Sequence, residues 1–298
     1  MRENRGGTLY TLVHGRLVAA NVDPIEKKPL YHFLPGSLSM SIATAGCNFK
    51  CSFCQNHSIS QVGRGEIPGR EVQPSSVVEA ALASGCLSVS YTYTEPVVFF
   101  ETACETGILA REKGLKNIFV TNGYITKEAA AKAEKFLDAA NVDLKSFSDR
   151  FYRTVCGAGL KGVLEGIDNL LEKGVWLEIT TLVVPGLNDS DEELRSAAKF
   201  ISGRSKDIPW HISRFHPDFR MLDRAATPED SLERARAAGE GEGLRYIYIG
   251  NVQGSREDTI CPKCGTMLIG RLGFSVLSNR LDRGRCPGCG CTVPGYFV

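Results

Sequence analysis

None of the apolar runs in the 298 residues approaches the roughly 20 needed to span a bilayer, so nothing marks this as a membrane-embedded chain. The opening MRENRGGTLY lacks the apolar core of a secretory signal. Neither sign of charge is in excess. Lys and Arg number 35 against 34 Asp and Glu, a formal net charge of +1, which compels no nucleic-acid or membrane-surface partner. Cysteine, by contrast, is plentiful, at 11 residues. Three stand in one short run, four in two C-x2-C pairs near the end, and four are scattered. Without secretory features, that distribution points to metal binding in a reducing, cytoplasmic compartment and away from a disulfide framework.

The first run lies in Ala45–Asn56, where Cys47, Cys51 and Cys54 form C-x3-C-x2-C. Three thiolates in one loop can hold three corners of a cubane iron–sulfur cluster, which normally takes four cysteines. The next cysteine along the chain, Cys86, lies far outside the loop, so one iron is expected to lack a protein ligand and to be open to a small molecule. A zinc site would want four closed ligands, and a disulfide with a spare thiol would want an oxidising compartment.

From Ser39 onward, short apolar segments alternate with helical ones. Strands are expected at Ser39–Ala43, Leu87–Tyr91, Asn117–Val120, Ala140–Lys145, Val175–Val184, Pro209–Phe215 and Leu244–Ile249. Helices are expected at Ser75–Ala83, Pro96–Lys113, Lys127–Leu137, Lys161–Lys173, Asp189–Ile201 (capped by Asn188 or Asp189) and Pro228–Ala238 (capped by Thr227). Strand–helix alternation implies a parallel sheet, and right-handed crossovers curl it into part or all of a β/α barrel. The fold class expected is α/β, a partial (β/α) barrel with a small C-terminal zinc-ribbon-like unit. Its divisions are an N-terminal segment 1–38 with a hairpin around His14-Gly15, the barrel 39–255, and the tail 256–298.

The cysteine run, with Phe53 before its third cysteine, resembles the radical SAM superfamily. That resemblance implies a [4Fe-4S] cluster whose open iron chelates the amino and carboxylate groups of S-adenosylmethionine (SAM). One electron then cleaves the sulfonium to a 5′-deoxyadenosyl radical. It also implies a set of cofactor-binding residues: Phe53, Glu95, Thr121, Asn122, Asp143, Lys145 and His211. Glu95 stands in Y-T-E-P, which keeps the acid of the usual G-G-E-P-like segment but neither glycine. Thr121-Asn122-Gly123 and Asp143-Leu144-Lys145 resemble SAM-pocket segments of glycyl radical enzyme activases, as do Leu182–Gly186 and Trp210-His211 with Phe215. Val120 replaces the acid those activases carry before Thr-Asn-Gly.

Blander readings stand beside these. Glu95 could be a charge at a helix N-terminus, Asp143 and Lys145 a surface ion pair, His211 a core histidine, and Cys156 a small buried hydrophobe or a redox partner. His216–Phe219 reads as a lid loop or an ordinary turn.

In the tail, Cys261, Cys264, Cys286 and Cys289 form two C-x2-C-G knuckles that suit one tetrahedral zinc. Rubredoxin-like iron, or a second cluster using Cys291, are the alternatives. Asp23–Phe33, Gly46–Asn56, Tyr91–Pro96, Ser213–Asp218, Tyr246–Val252 and the knuckles together resemble the radical SAM enzyme of the AmmeMemoRadiSam system. Members often carry a further cysteine-rich segment before V-R-x-N-x-x-G, which this sequence lacks. The resemblance implies an electron donor such as flavodoxin or ferredoxin, and the other two proteins of that system as partners. The expected function is reductive cleavage of SAM and hydrogen abstraction from an unidentified substrate. A glycyl radical enzyme activase is the alternative, and a non-enzymatic electron-transfer or scaffold protein a second one.

Overall fold

The computed structural model describes residues 1–63, 65, 67–252 and 257–297, so the expected boundary at 255/256 lies outside the described residues. An antiparallel hairpin of β1 (Arg2–Arg5) and β2 (Thr8–Thr11) opens the chain, turning on Gly6-Gly7, both at positive φ. The main sheet begins with β3 (Arg16–Pro24), antiparallel to β4 (Leu38–Thr44), with the short β5 (Arg70–Glu71) on its other edge. From β4 the sheet is parallel through β6 (Ser88–Tyr91), β7 (Lys116–Thr121), β8 (Ala139–Asp143), β9 (Trp176–Val183), β10 (Trp210–Arg214) and β11 (Ile247–Gly250).

The strand order runs from β11 at one edge to β5 at the other without closing, in agreement with the expected partial barrel. The expected hairpin around His14-Gly15 does not form. Arg16–Pro24 instead pairs with β4, covering what would be an open edge of the barrel.

Helices Pro74–Ala83, Phe100–Glu112, Lys127–Ala133, Leu160–Glu172, Asp191–Ser202 and Glu229–Gly241 lie close to their expected positions. Two caps differ, because tertiary partners claim the expected side chains. Ser190 caps Asp191–Ser202 by accepting from Glu193 N. Asn188 Oδ1 and Asp189 Oδ1 are taken by the backbone N–H groups of Val184 and Gly186. Thr227 Oγ1 accepts from Phe215 N and donates to Val183 O at 2.6 Å, tying the end of β9 to the end of β10.

Alternation along the parallel strands separates two environments. Met40 and Ile42 of β4 belong to the hydrophobic core. Ser39 and Ser41 share the opposite face, and Ser39 Oγ lies 2.6 Å from Ser90 Oγ of β6. Parallel strands usually read as unbroken apolar runs; here one face is polar, and it faces the barrel interior. The tail adds β12 (Thr259–Ile260), β13 (Met267–Leu272) and β14 (Ser275–Asn279), an antiparallel sheet. It packs on the barrel through Leu268, Ile269 and Val293 against Tyr31, Tyr246 and Tyr248. Arg271, 7% exposed, donates to Tyr31 O and to Thr259 Oγ1.

Helix Leu160–Glu172 approaches the Thr121–Gly123 turn so closely that a Cβ on Gly166 would lie 1.7 Å from Gly123 O. Gly166→Ala should therefore cost about 1–3 kcal/mol through overpacking. Denaturant unfolding checks this, and an unchanged midpoint would show that the helix can shift at no cost.

Candidate active site

A cavity of about 540 Å³ opens into the barrel from the C-terminal strand ends, the place where β/α barrels carry their chemistry. Cys47, Cys51, Cys54, Phe53, Glu95, Thr121, Asn122, Asp143 and Lys145 all line it. The loops after four successive strands thus bring together every site residue expected of the barrel except His211.

The cysteine loop is held from behind. Lys50 N and Ser52 N donate to the carbonyls of Cys156 and Val155 at 2.7 and 2.9 Å, and Arg220 N donates to Ser52 O. Those first two carbonyls come from a π-helical turn, Tyr152–Cys156, a form often found at functional sites. Cys47 Sγ accepts from Phe49 N at 3.3 Å, and Asn122 Nδ2 lies 3.8 Å from it. Cys54 Sγ sits 3.1 Å from Ser60 Oγ. Such hydrogen bonds to sulfur tune an iron–sulfur centre. Cys156 is fully buried behind the cysteine loop, to which its carbonyl is bonded, yet it does not line the cavity. The loop His216–Phe219 packs down onto this region, with Phe219 stacked on His57 at 4.4 Å between ring centres.

Glu95 sits where β6 passes into the turn before Pro96. Its carboxylate is 1% exposed and accepts from Thr121 Oγ1 (2.7 Å), Asn122 N (2.8 Å) and Val97 N (3.2 Å). Burial outweighs these three donors and raises its pKa to about 7. Asp143 ends β8, and its Oδ2 receives the Lys145 ammonium at 2.8 Å, which also lies 5.7 Å from the centre of the Phe53 ring. The donor set fits the implied groups: three soft thiols for iron, and acidic and basic side chains beside them for a zwitterion.

His211 stands apart from the cavity wall, contrary to its expected place beside the others. Its Nε2 lies 2.7 Å from Glu178 Oε2 of the neighbouring strand β9, and Tyr31 and Tyr248 pack on its ring. The physical reason is Glu178 itself, a fully buried carboxylate that gathers His211 together with Tyr31 N, His32 N and Trp176 Nε1.

The structure also places Lys27, Lys28, Tyr93 and Thr180 on the cavity wall. Sequence reasoning assigned them no role. The signals available were the resemblance of Asp23–Phe33 and Tyr91–Pro96 and the dense charge of Asp23-Pro-Ile-Glu-Lys-Lys, in a segment that proves largely buried.

In the tail, one sulfur from each of Cys261, Cys264, Cys286 and Cys289 lies within 4.8 Å of the others, a four-cysteine metal site. Cys291 lies outside this group.

Comparison with known proteins agrees with the geometry. The sequence profile of the Radical SAM superfamily matches residues 41–200. An uncharacterized protein of Methanocaldococcus jannaschii is 44% identical over 97% of this chain and 87% of its own length. The pyruvate formate-lyase-activating enzyme of Clostridium pasteurianum is 23% identical over 63% of this chain and 84% of its own. GTP 3′,8-cyclases are also among the homologues. Among solved structures, Streptococcus suis SuiB bound to S-adenosylmethionine shares the fold, with TM-score 0.56 and 15% identity over 76% of this chain and 53% of that one. The chain belongs to the radical SAM superfamily, a family of enzymes that implies a [4Fe-4S] cluster and SAM.

Glu95 binds its proton more tightly folded than unfolded, with a pKa of about 7 against 4.5. Folding therefore takes up a proton between these values, and this group's contribution to stability falls as pH rises through that window. Relative to the wild-type protein, Glu95→Gln should flatten that decline in metal-free urea unfolding between pH 4.5 and 7. Parallel pH profiles for the two proteins would remove the carboxylate from this role.

Proposed function

We propose that this chain is a radical SAM enzyme that abstracts hydrogen from a substrate admitted to the barrel interior. The observation that carries the reading is the convergence of Cys47, Cys51 and Cys54 with Glu95, Asn122, Asp143 and Lys145 on one cavity. The three cysteines would hold the cluster and leave one iron open. A cluster held there would supply the one electron that reductive cleavage of SAM requires.

The chain's own residues do the rest. Glu95 is a buried anion placed for the SAM ammonium, which would offset the burial that disfavours its charge. Lys145 meets the SAM carboxylate, Asp143 the ribose, and Asn122 steadies the loop through Asn48 Oδ1 at 2.7 Å. Phe53 and Thr121 complete the pocket wall, and His211 supports it indirectly through Glu178. Depth within the barrel keeps water from the radical.

A flavodoxin or ferredoxin would supply the electron, and a cytoplasmic location accords with reduced thiols. The similarity to an activating enzyme favours a glycyl radical enzyme activase as the second reading. The specific motifs favour the enzyme of the AmmeMemoRadiSam system, with that system's other two proteins as partners. In the tail, four thiolates suit a structural zinc.

In anaerobic, dithionite-reduced protein, Cys51→Ala should abolish formation of 5′-deoxyadenosine. Cys156→Ala should keep both the iron and the cleavage. Iron lost from the second variant would make Cys156 a fourth ligand and overturn the open iron. Asp143→Ala should weaken SAM binding about tenfold to a hundredfold at constant iron content, and unchanged affinity would take Asp143 out of the pocket.

Metal analysis should find one zinc and about four irons per chain. Cys264→Ser should release the zinc and loosen the tail while sparing the cluster. About eight irons and no zinc would make the tail a second cluster.

A further inference from the structure

At the inner end of the cavity, two lysines share one carboxylate. Asp23 Oδ1 receives Lys27 Nζ at 2.8 Å, and Asp23 Oδ2 receives Lys28 Nζ at 2.6 Å. The Tyr93 hydroxyl donates to the same Oδ2. The Lys28 side chain is 2% exposed, and its ammonium lies 4.8 Å from the centre of the Tyr93 ring. Tyr93 holds φ at 63°, an uncommon conformation for a bulky residue and one that clusters at functional sites.

The charges on the cavity wall do not balance there. Among the described residues the wall carries Lys27, Lys28 and Lys145 as cations and Glu95 and Asp143 as anions. Asp143 is engaged by Lys145, and Glu95 by backbone and hydroxyl donors. Asp23 alone faces two ammonium groups, so the inner end is left with one net positive charge. An ammonium has three donors, and that of Lys28 has Asp23 as its single hydrogen-bonding partner among the described residues. Water shares that surplus at Lys27, so it is the unspent donors of the buried Lys28 ammonium that a ligand would meet. Burial draws the Lys28 pKa down to about 8 in spite of the hydrogen bond and charge of Asp23, with the charge of Lys27 a smaller contribution.

We propose that this end of the cavity is an anion subsite, in which Lys28 and Lys27 bind a carboxylate or phosphate group of the substrate. The inference rests on the radical SAM reading above, because position separates this subsite from the SAM contacts. Asp23 pairs with Ser39, five residues before Thr44, where β4 ends and the cysteine loop follows. At about 3.3 Å per residue that is about 16 Å of backbone, of which the side chains span a part, since the Lys28 ammonium reaches the ring of Tyr93, two residues before Glu95. Glu95, Asn122 and Lys145 serve the zwitterion of SAM near the cysteines, so the anion received at Lys28 belongs to a second molecule. The substrate class is thus a molecule, or a side chain of one, whose anionic group enters first and whose reacting C–H bond remains nearer the cluster. Tyr93 and Asp23 position the lysines, while Lys28 makes the contact.

Calorimetric titration of the anaerobically reconstituted full-length protein, saturated with SAM, tests this at constant ionic strength. Sodium phosphate and sodium succinate are the two probes. At least one should bind saturably. A response to phosphate alone assigns a phosphorylated substrate, and a response to succinate alone assigns a carboxylate. Lys28→Met should weaken that binding about tenfold to a hundredfold. Asp23→Asn, which frees both ammonium groups, should tighten it, an effect opposite to that expected of a merely structural ion pair. SAM affinity should stay unchanged in both variants. Lys27 is half exposed, so Lys27→Met carries the test if Lys28→Met does not fold. No saturable binding of either anion to the wild-type protein, or equal binding to the lysine variants, would overturn the subsite. Failure of the wild-type protein to bind SAM would sink the enzyme reading instead, and the same anion titration without SAM would still decide the subsite.

Discussion

Two backbone hydrogen bonds, from Lys50 N to Cys156 O and from Ser52 N to Val155 O, set the shape of everything around the cavity. A loop that must aim three sulfurs at one point cannot take a regular ladder, so its own N–H groups need partners elsewhere. The turn Tyr152–Cys156 supplies them because its π-helical winding leaves Val155 and Cys156 carbonyls free to point outward. Gly157 ends that turn at φ 67°, and a Cβ there would lie only 3.2 Å from Lys50 Cβ. The loop after β4 is thereby held by the segment after β8, two elements separated by β6 and β7 in the sheet order. The partial barrel's curvature brings them face to face.

Much of this architecture is legible in the sequence, and for definite reasons. Seven apolar segments separated by helical ones have few arrangements other than a parallel sheet. Cysteine spacing reports directly on which thiols share a loop, so both the C-x3-C-x2-C run and the paired knuckles emerge without help from tertiary contacts. Glu95, Thr121, Asn122, Asp143 and Lys145 are marked by the family resemblance, and the topological rule that residues after parallel strands meet at one rim agrees with it.

What is not legible depends on competition between distant partners. His211 has the right residue type on the right strand, but the neighbouring strand carries Glu178, and a buried carboxylate claims it. Asn188, Asp189 and Thr227 are good caps in isolation, yet turns and strand ends claim them first. Asp23 and Lys28 belong to a segment that the resemblance marks without a role, and their burial emerges only when β3 joins the sheet. That pairing fills an exposed edge, which local propensity does not report.

Phe274 sits at the tip of the turn between β13 and β14 and lines the same cavity as the three barrel cysteines. The turn is fixed by Gly273 N donating to Glu257 Oε2 at 2.8 Å. A unit clasped by four thiols thus furnishes part of the entrance to a chamber formed mostly by another sheet. The thiols that clasp the tail sheet therefore lie in the same unit as a residue of the cavity wall, apart from the barrel's own sulfurs.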